Sequence, residues 1–278
     1  MWTKIRKAIQ YIYIGIVAIP GIAFYHFFFN VRYAKNPSKY PFEKRYKNIK
    51  RLSKLVLFAY RSKYQLYNLD EFNKASGQTM IVANHLSDLD PLVVAATFDR
   101  PVTFIAKKEA MDFPFVGTVL KALEAFPIDR DNVVSQFSTI KKIVTHLKDE
   151  SKPPVVVFIE GTRNKNPETH CLDFHPGTLK IAQMANVPVI PVSLYGTFRH
   201  LTLKSYLHHY PVFVDAGKTV SAEEVKSLDL NEFAKDLQKQ IDDKVDEFRK
   251  IDQCFIYGQW LTRRRKALET IVDLGVKS

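Results

Sequence analysis

At 278 residues with 46% hydrophobic side chains, the chain is long and apolar enough to bury a sizeable core, which excludes a disordered tail or a minimal scaffold. Its formal charge of +12 points to an anionic partner: nucleic acid, an anionic lipid surface or a phosphorylated substrate. The two cysteines, Cys171 and Cys254, have neither metal-ligand spacing nor the density of a secreted disulfide framework, and read as inert thiols of a reducing compartment.

After Lys4, Arg6 and Lys7, residues 11–29 read YIYIGIVAIPGIAFYHFFF, with no formally charged side chain. As one helix this stretch would reach about 28 Å, enough for a hydrocarbon core, but Pro20 and Gly21 at its centre predict two short helices instead. Residues 32–63 are basic, with Glu43 as their one acid, and are interleaved with aromatic side chains. Basic flanks on both sides give the positive-inside rule no purchase. The expectation is therefore a helical hairpin dipping into one leaflet, peripheral or monotopic, at the cytoplasmic face of the cell membrane.

From residue 79 the pattern changes to short apolar runs alternating with helical stretches. Strands are expected at 79–83, 102–106, 125–128, 155–159, 188–194 and 212–217, and helices near 91–97, 114–124, 133–148 and 177–185. This alternation predicts an α/β fold with a mostly parallel sheet flanked by helices. A polar amphipathic helix at 222–249 and the basic TRRRK at 262–266 read as a solvated or membrane-facing addition. The expected division is 1–63, anchor and basic segment; 64–221, α/β domain; and 222–278, helical extension.

Ligands of open α/β sheets bind beyond the carboxyl ends of the strands. The residues found there are Asn84 and His85, Lys107 and Lys108, Asp129 and Arg130, and then Glu160, Gly161, Thr162 and Arg163. A histidine, carboxylates and several cations on one edge suit proton transfer beside a phosphate. On one regular helix His85 and Asp90 would point about 140° apart. With His85 in the loop and Asp90 in the first helical turn, the carboxylate can orient the imidazole. Asp90 before Pro91 also fits a simple helix cap, as do Ser87 and Asp88, so the residues alone leave both roles open.

NHLSDLD resembles the His-x-x-x-x-Asp block of the glycerolipid acyltransferases, and FIEGTRNK their Phe-Pro-Glu-Gly-Thr-Arg block. AKKEAMDFPFVG with FPIDRD resembles their second block and VPVIPVSLYGT their fourth, all in the family's order, over residues 79–197. The branch most similar is the 1-acyl-sn-glycerol-3-phosphate acyltransferases. The resemblance implies that His85 is the general base and Asp90 its orienting partner. It further implies that Lys107, Arg130, Gly161, Thr162 and Arg163 hold the acceptor's phosphate, while Glu160 organises the loop or contacts the acceptor. The implied reaction moves an acyl chain from acyl carrier protein or acyl-coenzyme A to the 2-hydroxyl of lysophosphatidic acid, giving phosphatidic acid, with neither metal nor cofactor. Two departures stand out: Ile159 replaces the usual proline, and Pro176 in FHPG stands where the family often has lysine, next to His175. Rival readings are another lysophospholipid or glycerol phosphate acceptor, a non-catalytic anionic-lipid binder, and metal-dependent hydrolysis through His85, Asp88 and Asp90. Nucleic-acid binding fits less well, because the basic aromatic interval adjoins an apolar anchor.

Overall fold

The computed structural model describes residues 2–74, 77–199 and 210–257. Strands β1 (Ser62–Tyr67), β2 (Met80–Ala83), β3 (Thr103–Lys107), β4 (Phe126–Ile128), β5 (Val155–Phe158), β6 (Val189–Tyr195) and β7 (Tyr210–Ala216) form one sheet in the order β1-β7-β6-β2-β5-β3-β4. Every neighbouring pair is parallel except β6 with β7. The fold is therefore the expected mostly parallel α/β sheet. The six expected strands are present, and β1 is the one the apolar runs did not announce. Its SKYQLY is a half-exposed edge strand with no continuous apolar stretch.

Side chains alternate between two faces. Met80 and Val82 of β2 join one buried layer with Ile143 of α7 (Val133–Leu147) and Leu179 of α8 (Pro176–Ala185). Ile81 and Ala83 join the other with Ile49 of α3 (Phe42–Ala59) and Val93 of α5 (Asp90–Thr97). Because helices cover both faces, the central strands need apolar residues at every position, which is why MIVA and VVV stand unbroken in the sequence.

Two expectations change. Residues 222–257 form α9 (Ala222–Ser227) and the long α10 (Leu230–Tyr257), and α10 buries Leu237, Ile241, Val245 and Phe248 in the first layer. It is part of the core, not a solvated addition; TRRRK lies outside the described residues. At the N-terminus, α1 (Trp2–Tyr25) contains Pro20 without a break and continues through a π-helical turn (His26–Asn30) into α2 (Val31–Lys35). Packing accounts for the continuity: Gly21 offers bare backbone to Leu55 of α3, whose Cδ2 would lie 2.0 Å from a Cβ there. The hairpin exists, but it turns at residues 36–41, with α3 as its second arm.

The hairpin is fastened to the α/β domain by Arg45. This residue, 3% exposed, donates to the Ala122 carbonyl at 2.5 Å and to Glu124 Oε2 at 2.7 Å, both just beyond the end of α6 (Val116–Ala122) or within its last turn. Replacing Arg45 with Ala strands a buried carbonyl and removes charged hydrogen bonds, and should lower unfolding free energy by about 2–3 kcal/mol, measured by chemical denaturation.

Candidate active site

Strands β2, β5, β3 and β4 lie side by side and end on one edge, about 4.8 Å apart. His85 follows β2, and Asp90 opens α5. The His85 Nδ1 lies 2.9 Å from Asp90 Oδ2, which also accepts from the backbone N–H groups of Leu86 at 2.7 Å and Ser87 at 2.8 Å. The other oxygen, Oδ1, accepts from the Thr197 hydroxyl. Asp90 is fully buried, so these donors replace the water it has lost. The His85 ring also stacks on Phe158 with centroids 4.3 Å apart. With Nδ1–H given to the carboxylate, Nε2 keeps a lone pair and has no partner among the described residues.

Glu160 does not reach toward a ligand. It is 2% exposed, and its two oxygens accept from the backbone N–H groups of His85 at 2.6 Å and Leu172 at 2.8 Å. Burial raises its carboxyl from 4.5 to about 7, against the pull of those two N–H groups. A carboxylate so occupied is a brace for the β2 and β5 loops, which fits the loop-organising role of the two implied for it and leaves no oxygen free for an acceptor. Asn164 ties the same loops from the other side, donating its N–H to the His85 carbonyl at 2.7 Å.

The remaining expected residues divide. Arg163 pairs with Asp88 across the two loops at 2.5 Å, so its charge is already partnered. Thr162 is exposed at the tip of the β5 loop. Lys107, at the end of β3, is exposed and 3.5 Å from Glu109, while Lys108 pairs with Asp129 at 2.9 Å. Arg130 starts beyond the edge strand β4 and reaches back to β5. Gly161, at φ +68°, is bare where a Cβ would fall 3.0 Å from Arg130 Nη2 and 3.1 Å from His175 Nε2.

Two participants were given no role in the sequence, and a third was given a different one. Asn84, fully buried, bonds both the N–H and the carbonyl of Leu194, locking the end of β2 to β6. Thr197 follows Gly196, whose φ of +96° and close approach to the Pro211 carbonyl turn the chain toward Asp90. Asp88 figured only as a cap or metal ligand and is instead the partner of Arg163. Since Asp88 and both oxygens of Asp90 are engaged, the His85, Asp88 and Asp90 metal reading finds no convergent ligand set, and no other such cluster occurs among the described residues.

Because the folded value of Glu160 lies above its ordinary one, its contribution to stability is complete below about pH 4.5 and is lost as pH rises through about 7. The difference in unfolding free energy between the unaltered chain and Glu160→Gln should therefore fall across that window and flatten above it, as measured by urea denaturation at a series of pH values.

The acyltransferase family model matches residues 63–195. The chain is 31% identical over 190 residues to the probable 1-acyl-sn-glycerol-3-phosphate acyltransferase of Mycoplasma pneumoniae, covering 66% of this chain and 69% of that protein. It is 30% identical over 229 residues to the protein of the same description from Mycoplasma genitalium, covering 76% and 81%. The crystal structure of the 1-acyl-sn-glycerophosphate acyltransferase of Thermotoga maritima superposes with a TM-score of 0.67 at 26% identity, covering 89% of this chain and 98% of that one. With the histidine and carboxylate paired at the edge of the same sheet, the chain belongs to the acyltransferase family, among relatives that are 1-acyl-sn-glycerol-3-phosphate acyltransferases.

Proposed function

We propose that the chain transfers an acyl group from a thioester, on acyl carrier protein or coenzyme A, to the 2-hydroxyl of 1-acyl-sn-glycerol 3-phosphate, giving phosphatidic acid. The observation that carries this reading is the His85–Asp90 contact of 2.9 Å, with the imidazole's second nitrogen unengaged among the described residues. Nε2 takes the hydroxyl proton as the oxygen attacks the thioester carbonyl. The C–O bond forms, the C–S bond breaks, and the proton passes to the departing thiolate. Asp90 fixes the tautomer and steadies the imidazolium. Holding the two substrates in line makes an acyl-enzyme unnecessary. Arg130, Lys107 and the Gly161–Thr162 turn gather the acceptor's phosphate, with Arg163 available by exchange of its exposed Asp88 partner.

The acceptor and product are bilayer lipids, and the N-terminal hairpin fits that setting. Residues Tyr11–Lys35 form a helix long and apolar enough to cross a membrane, with 6% of its most apolar window buried in the protein. Ile9, Ile12, Ile16 and Ile19, spaced three or four apart, point outward at 47–70% exposure. On α3, Lys44, Lys47, Arg51 and Lys54 form an exposed stripe of the same period. An isoleucine ridge beside a lysine and arginine stripe suits a hairpin lying in one leaflet at the cytoplasmic face, its apolar arm in the acyl region and its basic arm among anionic headgroups.

The purified chain should acylate 1-acylglycerol 3-phosphate when given acyl carrier protein or coenzyme A thioesters in separate reactions, and the donor that works identifies the carrier. His85→Ala should reduce turnover at least about a hundredfold, with Asp90→Asn close behind; near-unaltered turnover in the histidine variant would overturn the mechanism.

Washing membranes with high salt should leave the chain in place, because screening weakens only the charge attraction. The double substitution Ile12→Asp and Ile16→Asp should move it to the soluble fraction. Release of the unaltered chain by salt would argue against insertion.

A further inference from the structure

The bare face of Gly161 is covered by two side chains whose nitrogens converge on it. Were a Cβ present, Arg130 Nη2 would lie 3.0 Å from it and His175 Nε2 3.1 Å, so the two nitrogens stand over the same point of bare backbone, near enough to each other to share one ligand. We propose that His175 is a direct ligand of the acceptor's phosphate, closing on it together with Arg130 over Gly161. This proposal rests on the acyl-transfer reading above.

Three observations carry it. First, the imidazole makes no hydrogen bond among the described residues: His175 occupies the N-cap position of α8, yet its side chain does not cap the helix. Its backbone is held in place all the same, by the N–H that reaches the Ile159 carbonyl at 3.4 Å and by Pro176, which fixes the next φ. Second, Arg130 forms no hydrogen bond or ion pair with any described residue, whereas the neighbouring cations are occupied, Arg163 by Asp88 at 2.5 Å and Lys108 by Asp129 at 2.9 Å. Third, the donor set fits the ligand. A guanidinium presents a fork of N–H groups, an imidazole adds one more in either its neutral or its charged state, and a phosphate monoester has three oxygens to receive them. The positive φ of Gly161, +68°, keeps this convergence possible, since an L side chain there would be strained and would push both groups aside.

The test uses the full chain in mixed micelles with purified thioester donor. In His175→Ala, KM for 1-acylglycerol 3-phosphate should rise about tenfold, the loss of one hydrogen bond to a charged group. The kcat and the KM for the thioester should stay within about twofold, since catalysis lies at His85. His175→Gln, which keeps an N–H donor at similar reach, should recover part of the acceptor affinity. An unchanged acceptor KM overturns the proposal, as does an equal rise for neutral 1-acylglycerol or a loss confined to kcat. A rise only in the thioester KM also overturns it, and assigns the two nitrogens to the carrier's phosphopantetheine phosphate.

If the unaltered chain does not acylate this acceptor, the acyl-transfer reading fails separately. Titration of 15N-histidine-labelled chain with glycerol 3-phosphate then decides the phosphate contact by itself. One ring signal should move with glycerol 3-phosphate, stay still with glycerol, and be absent from His175→Gln; no movement overturns the proposal.

Discussion

The site depends on a buried charge that must be satisfied. Asp90 has no contact with water, and an isolated carboxylate in such a place would cost several kcal/mol or give up its charge. It is instead surrounded by donors from three directions: the β2 loop through Leu86 and Ser87, the imidazole of His85, and the β6–β7 connection through Thr197. Each donor lies in a loop or turn, and all of them must converge on the one carboxylate. The tight turn from His85 to Asp90, the start of α5 and the turn at Gly196 are thus consequences of one solvation requirement. The orientation of the imidazole is another.

Glu160 solves the same problem one strand away and with a different outcome. Its two oxygens meet two backbone N–H groups and, among the described residues, no side-chain cation, so burial lifts its carboxyl to about 7 where it stands. Its work is mechanical. It draws the peptide of His85 and that of Leu172 toward the end of β5, while Asn164 closes the same gap. The two acids lie in consecutive loops of one edge, one serving a side chain and the other the backbone that carries it.

The sheet was legible because strands buried on both faces must be apolar at every position, and short runs such as MIVA or VVVF, repeated between helical stretches, are too brief for buried helices. The pairing of His85 with Asp90 was only half legible: the residues fitted a helix cap as well, and the resemblance of NHLSDLD to a His-x-x-x-x-Asp block tipped the reading toward the contact that the fold makes. The edge strand β1 escaped notice because SKYQLY is partly exposed along its whole length and holds no apolar run, and α10 was misjudged because its polar face outweighs the narrow stripe that reaches the core. Charge pairing was the least legible property. Sequence spacing shows that Arg163 follows β5, but not that Asp88 of another loop waits 2.5 Å away. Nor does it show that Glu160 spends both oxygens on backbone groups. Pro20 misled in the opposite sense, since packing of Gly21 on Leu55 keeps a helix continuous that propensity alone would break.

The hairpin meets the α/β domain through the buried face of α3, with Ile49 in the core and the Arg45 guanidinium bonded beyond it, rather than through a linker. A domain attached in this way cannot swing on its anchor. With the hairpin embedded, His85 would stand at one fixed height above the acyl region, and every acceptor would have to be met there by lateral diffusion in the leaflet. Such an enzyme counts its lipid substrate by mole fraction in the surface, not by concentration in the surrounding water. Diluting the acceptor with inert phospholipid would slow it even when the total amount of acceptor is unchanged.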